Sequence, residues 1–263
     1  MSNSIPKNPR VALFVTCLVD LFRPSVGFAS VKLLEDAGCD LEVPMAQTCC
    51  GQPAWNSGDR ADTRDLAEAV IRNFEDYDYI VAPSGSCAGM LKKHYPEVFK
   101  GDPIWESRVE RFSEKVYELT SFLVDVLKVE KVDAILKADI TYHDSCAGLR
   151  ELGIQEQPRK LVKSIKGVTM TEMKNSDVCC GFGGTFAVKY SEISNSIVTT
   201  KTEHIEETSA QMLLAGDLGC LLNMAGKLRR ENSSIEVRHV AEVLAGMVDN
   251  APIGERTPKG GGR

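Results

Sequence analysis

Eight of the nine cysteines in this 263-residue chain fall into two sets with the same internal order. The first is Cys17, the adjacent pair Cys49-Cys50 followed by Gly51, and Cys87; the second is Cys146, the pair Cys179-Cys180 followed by Gly181, and Cys220. Matching thiols stand 129, 130, 130 and 133 positions apart, which is the mark of one module used twice. The constraint on folding is severe: any structure must bring four distant thiols of each half to a common place, because soft metals and iron–sulfur clusters are what such sets of thiolates hold.

The alternative use of many cysteines, a disulfide scaffold, belongs to short secreted domains that cannot build a core. A chain of this length with 43% hydrophobic residues can build one, and nine is an odd number. No apolar stretch precedes Val11, so no signal peptide is expected, and no run of about 18 apolar residues suggests a spanning helix. The reading is cytoplasmic, with docking on a membrane complex left to partners. A net charge of −6 without basic and aromatic interleaving argues against nucleic acid.

Short β-branched runs alternate with helical stretches. In the first half Val11–Val15, 41–43 and Tyr79–Ala82 read as strands, with helices over 26–37 and 62–74, where Leu66, Ala69, Val70 and Phe74 recur at helical spacing and Gly38 supplies a stop. In the second half 140–143, 168–171, 212–214 and 235–238 read as strands, with a helix over 240–248. Residues 109–126 have apolar spacing compatible with one long helix. The repeat predicts instead a short strand at 116–119 between two helices, matching the strand near Val237. The fold class is therefore α/β, two pseudo-repeated βα modules with mostly parallel sheets and the cysteines at the strand C-terminal ends, where ligands bind in open sheets. The expected layout is an N-terminal segment 1–10, modules 11–130 and 131–250, and a flexible Gly-rich tail 251–263.

No C-x₂₋₄-C step of the usual structural zinc kind occurs, and adjacent cysteines suit a larger inorganic core better than one small ion. Other residues receive structural readings. Cys39 is a buried small hydrophobe; His94, His204 and His239 share no ligand spacing; Met170 and Met173 pattern as core; Trp55 and Trp105 pack. Asp144 is expected to cap the helix after it. His143, three residues before Cys146, either donates a hydrogen bond to a cluster sulfur or is satisfied by backbone. Gly181-Phe182-Gly183-Gly184 lacks the order of a phosphate loop and is expected to let backbone N–H groups approach the thiols.

The pattern C-x₃₁-CCG-x₃₅-C resembles the CCG cysteine-rich family, which includes the B subunit of heterodisulfide reductase and iron–sulfur subunits of glycolate- and lactate-oxidising systems. The likeness is carried by Gln47-Thr48-Cys49-Cys50-Gly51-Gln52-Pro53-Ala54, Pro83-Ser84-Gly85-Ser86-Cys87-Ala88, the string from His143 to Gly153, and Cys179-Cys180-Gly181-Phe182-Gly183-Gly184-Thr185-Phe186. The resemblance implies an iron–sulfur electron-transfer subunit of an L-lactate (2-hydroxy acid) oxidising complex that makes pyruvate. Cys17, Cys49, Cys50, Cys87, Cys146, Cys179, Cys180 and Cys220 would be the ligands of one or two [4Fe–4S] clusters, with zinc in the first module as an alternative. The implied partners are a ferredoxin-like iron–sulfur protein, a smaller protein and an acceptor such as quinone. Where the heterodisulfide reductase pattern has a fifth cysteine, this chain has Met90 and Asn223. Two other functions stay open: a cluster-based heterodisulfide-type reductase subunit, and a zinc-stapled interaction module without a redox role.

Overall fold

The computed structural model describes residues 8–255; residues 1–7 and the Gly-rich stretch from Arg256 lie outside them. Two four-stranded sheets, all parallel, account for the two halves. The first contains β1 (Arg10–Leu13), β2 (Asp40–Glu42), β3 (Tyr79–Ala82) and β4 (Val116–Glu118) in the order β2-β1-β3-β4. The second contains β5 (Ile135–His143), β6 (Lys166–Met170), β7 (Met212–Ala215) and β8 (Glu236–His239) in the order β6-β5-β7-β8. The registers correspond: Leu13 faces Val81 in β3, and Tyr142 faces Leu214 in β7. In each sheet the strand order reverses beside the first strand, between β1 and β3 and between β5 and β7. That switch point opens a crevice beyond the strand ends.

The strands form because short apolar runs are covered on both faces, as parallel sheets require. Val11, Ala12, Leu13, Ile80, Val81, Leu213 and Leu214 have no exposed surface. The helix Arg60–Phe74 starts where the Asp59 carboxylate accepts the Asp62 N–H at 3.1 Å. It buries Thr63, Ala67, Val70, Ile71 and Phe74, a stripe at helical spacing turned from the one anticipated. Leu66 and Ala69 sit at its margin, and Leu66 packs beside the turn at Gly51.

The ambiguous stretch resolves as the repeat predicted. Helix Glu106–Glu114 ends, β4 pairs with β3, and a new helix starts at Leu119. The break is built by Glu118, whose buried carboxylate accepts the N–H groups of Thr120 (2.8 Å) and Ser121 (3.0 Å). His239 does the same after β8, its Nδ1 accepting the Ala241 N–H at 3.2 Å. The helix after it is shorter than expected, Val240–Leu244, and β5 begins earlier, at Ile135.

The halves share a core. One apolar cluster runs from Val11, Leu13 and Leu34 of the first half to Leu213, Leu221 and Val240 of the second, while Phe14, Phe74, Ile80 and Phe112 fill the other side of the first sheet. Polar contacts lock the seam. Arg23 donates from Nε to Glu242 Oε1 at 2.8 Å and from a terminal nitrogen to Oε2 at 3.3 Å, and Ser25 donates to Glu242 at 2.6 Å. Backbones also meet directly: a Cβ on Gly85 would lie 2.8 Å from both the Gly148 Cα and the Ser145 Oγ. Gly85→Ala should therefore force the two cysteine-bearing segments apart and destabilise the protein by about 1–3 kcal/mol, as overpacking does, read as a lower midpoint in urea unfolding.

Candidate metal centres

All eight repeated cysteines lie beyond the carboxyl ends of strands, and four of them open helices. Cys17 begins the helix Cys17–Phe22 after β1, and Cys146 begins Cys146–Leu152 after β5. Cys87 and Cys220 are each the third residue of their helices, Gly85–Gly89 and Leu218–Arg230. The adjacent pairs occupy the loops after β2 and β6, each closed by a glycine in the left-handed region, Gly51 at φ 82° and Gly181 at φ 84°. A Cβ on Gly181 would meet the Ser194 carbonyl oxygen at 2.7 Å, so the loop cannot close over any larger residue without moving the following helix.

Within each half the thiols form a string. Cys17 Sγ is 3.8 Å from Cys49 Sγ, and Cys50 Sγ is 3.6 Å from Cys87 Sγ; Cys146 pairs with Cys179 and Cys180 with Cys220 in the same way. The second member of each string is the thiol pushed towards the thiolate. Cys49 takes hydrogen bonds from Cys17 and Cys50, Cys179 takes them from Cys146 and Cys180, and both are held far below the ordinary thiol range. The Gly181 N–H adds a contact to Cys179 Sγ at 3.3 Å. Cys17 and Cys146 are pushed up, first because each keeps its proton to share with that neighbour and then by burial.

The two halves differ in the donors beside their thiols. Four sulfurs around one tetrahedral zinc at about 2.3 Å would all lie about 3.8 Å apart. Among the described residues, the set of three whose donor atoms all fall within 4.8 Å of one another is His143, Cys180 and Cys220. The compactness of that set comes from the imidazole, which the first half lacks at the matching place. His143 is fully buried with neither ring nitrogen partnered, and burial pushes its pKa down to about 4, so the imidazole is neutral at pH 7.

The surroundings hold the thiol loops in place. Tyr95 Oη donates to the Cys50 carbonyl at 3.0 Å, and Asn223 Nδ2 donates to the Cys180 carbonyl at 2.9 Å. Asn223 thus spends its amide on backbone at the place where a fifth thiolate would stand, and Met90 there is fully buried in the first-half core. Asp144 does not cap the helix after it. Its carboxylate takes two bonds from Arg159 at 2.7 and 2.8 Å and one from Ser176 Oγ at 3.0 Å, and Arg159 also binds Glu172. That pairing ties the end of β5 to the loop leading to Cys179. Lys201, 1% exposed, donates to the carbonyls of Asn175 and Ser176 in the same loop.

Asp217 joins the two strings. It opens the helix of Cys220 by accepting the Gly219 N–H at 3.2 Å, and across the seam it accepts Ser84 Oγ and the Ser86 N–H, both at 3.0 Å, at the start of the helix of Cys87. A cleft of about 260 Å³ opens here between the halves, lined by Cys17, Cys49, Cys50 and Cys87 on one side and by Phe182 and Leu218 on the other. Thr16 borders it with φ 74° and ψ 142°, a backbone geometry native to glycine, so strain is stored beside Cys17.

The sequence reading grouped the eight cysteines, and each half brings its own four into one string. It missed Asp217, Arg159, Lys201 and Tyr95. Only Asp217 carried a signal, since Ser84 and Asp217 each stand three residues before a repeated cysteine and both are N-cap residue types. Cys39, outside the repeat, is half-buried against the shared core, and burial raises it to about 11.

Two outcomes follow from this geometry. Asp217→Ala strands the donors it now satisfies and should cost about 1–3 kcal/mol in urea unfolding. In metal-free protein at pH 6, brief iodoacetamide treatment followed by mass mapping should mark Cys49 and Cys179 first, because their lowered pKa favours the thiolate there, and the buried, raised Cys50 and Cys180 last.

The family model of the cysteine-rich domain CCG matches residues 11–92 and 140–225. Among curated proteins, the chain is 52% identical over 235 residues to lactate utilization protein A of Geobacillus sp. (strain WCH70), covering 89% of this chain and 98% of that protein. It is 47% identical over 235 residues to the protein of the same description from Bacillus subtilis (strain 168), with the same coverage. Among solved structures, a hypothetical protein from Helicobacter pylori superposes with a TM-score of 0.59 at 15% identity, covering 93% of this chain and 51% of that one; this likeness concerns the fold alone.

Proposed function

Since the chain belongs to the CCG cysteine-rich domain family, we propose that it works in lactate utilisation as the electron-carrying subunit of a complex that oxidises L-lactate, a 2-hydroxy acid, to pyruvate. The observation that carries this reading is the duplicated string of four thiols at the switch point of each sheet, each with one thiol that its neighbours push towards the thiolate. Residues 11–130 and 131–250 would be its two modules, in the cytoplasm.

The donors fit a soft metal centre in number and chemistry. Cys17, Cys49, Cys50 and Cys87 would hold one [4Fe–4S] cluster, and Cys146, Cys179, Cys180 and Cys220 another. A cluster of this kind takes up and releases single electrons. The chain's own residues supply the rest. Gly51 and Gly181 turn the adjacent cysteines toward the crevice, Tyr95 and Asn223 clamp their carbonyls, and the shared Asp217 fixes the two strings relative to each other. Lactate oxidation releases two electrons and two protons, and their removal from the substrate is assigned to partners: a ferredoxin-like iron–sulfur protein and a smaller protein, with quinone as an onward acceptor. No helix among the described residues is long and apolar enough to cross a membrane, so contact with a membrane acceptor would pass through those partners.

A heterodisulfide-type role is disfavoured by Met90, sealed in the core, and Asn223, committed to backbone. A zinc-stapled module gains from the compact set His143, Cys180 and Cys220, since zinc takes both imidazole and thiolate. Metal content separates the readings. Protein purified without oxygen should be brown and carry about four irons per occupied half, and Cys179→Ser or Cys180→Ser should remove the second half's share. Colourless protein with stoichiometric zinc would decide for the module, and unchanged iron in both variants would refute the ligand assignment.

A further inference from the structure

Superposing the repeat on itself shows where the two thiol sites have diverged. The offset of 129 between Cys17 and Cys146 sets Phe14 against His143, and the strand pairings agree, with Leu13 facing Val81 as Tyr142 faces Leu214. Both side chains are completely buried at the end of the first strand of their half. Phe14 is satisfied by apolar neighbours and stacks near Phe74, with ring centroids 5.5 Å apart. An imidazole in the matching place has two polar atoms to satisfy, and neither has a partner. A buried polar atom without a partner costs about 1–3 kcal/mol, so a position that keeps two of them is explained only by something that uses them.

The donor geometry says what that is. One nitrogen of His143 lies within 4.8 Å of both Cys180 Sγ and Cys220 Sγ, and those two sulfurs lie within the same distance of each other. Unpartnered imidazole and two buried thiols around a common point form a mixed nitrogen–sulfur donor set. The wall around it has changed in step. Leu66 and Thr63, which surround Gly51, stand 131 positions before Ile197 and Ser194, which surround Gly181; the same offset matches fully buried Val70 with Lys201. A cation thus stands in the second half where the first has a hydrocarbon. The second site has an imidazole and a buried lysine where the first has Phe14 and Val70.

We propose that His143 is a direct ligand of the second-half metal centre, binding through one ring nitrogen beside Cys180 and Cys220 in the place of one of that half's other two thiolates, so that the two halves hold electronically different centres. This rests on the metal-centre reading above. Replacing thiolate character with imidazole lowers the negative charge on a centre and raises its potential, as does a buried cation. The second half would therefore be the half that is reduced first, and the first half, open to the cleft, the one that exchanges electrons with what enters it.

The test uses the full-length, anaerobically iron-loaded protein, wild type and His143→Phe, the substitute being the side chain that the first half already carries at this place. Pulsed EPR of the reduced protein should show a strongly coupled nitrogen that changes from ¹⁴N to ¹⁵N behaviour when only histidine is ¹⁵N-labelled, and that disappears in His143→Phe. His143→Gln, which keeps a polar side chain but no imidazole, should lose the coupling equally, and one EPR-active centre should shift to lower potential in both variants. If iron is retained and no histidine nitrogen couples in the labelled wild type, His143 is not a ligand, and the cluster reading survives without it; this measurement needs no variant to fold. If the second half takes up no metal even as wild type, both the inference and the centre on which it rests fall.

Discussion

A single buried carboxylate holds the two halves in register at the level of their thiols. Asp217 caps the helix that carries Cys220 and, through Ser84 and the Ser86 N–H, also completes the start of the helix that carries Cys87. Each of those helix starts presents N–H groups with no partner in the helix. One anion at the seam satisfies both, and bonds to a charged acceptor are worth about 1.5–3 kcal/mol each. Around it the approach is set by glycine: Gly85 and Gly148 let the cysteine-bearing segments touch through backbone. The Arg23–Glu242 pair closes the seam at a second place, next to the His239 cap. The cleft over Cys17, Cys49, Cys50 and Cys87 is a product of this docking, since its other wall is built by the second half.

The duplicated module has kept its sulfur chemistry and changed its walls. The proton-sharing string runs in the same order in both halves, and its second thiol is the one with the lowered pKa each time. The neighbours that clamp the loops do the same task with different groups, a phenol in the first half and a carboxamide in the second. The caps after β4 and β8 likewise use a carboxylate in one half and an imidazole in the other. Such substitutions conserve the position of a donor or acceptor rather than the residue, and for that reason they are invisible to a search for repeated letters. The exchanges of Phe14 for His143 and Val70 for Lys201 are of another kind: they turn an apolar lining into a polar one, and the electrostatics of the two sites diverge with them.

Much of this was legible in the chain. The cysteine repeat revealed the duplication, the alternation of apolar runs gave parallel sheets, and the repeat overruled helical periodicity at 116–118, where Glu118 builds the break. Misreadings came where local chemistry had two outlets. Asp144 stands in a capping position but is captured by Arg159, fifteen residues away, because a charged guanidinium binds a carboxylate more strongly than neutral backbone N–H groups do. The buried face of the helix Arg60–Phe74 is turned from the one that its apolar residues suggested, because Leu66 is drawn to the Gly51 turn.

By itself, the sequence determined which residues could be ligands and that they would meet beyond strand ends, because βα alternation in a parallel sheet leaves only one edge where those loops converge. The tertiary structure alone decided that the four thiols of each half form a string, that Asp217 serves both halves at once, and that His143 faces two thiols with its nitrogens unpartnered. Those facts depend on distances between residues up to 133 positions apart, fixed by how two sheets pack on a shared core, and no local pattern in the chain encodes them.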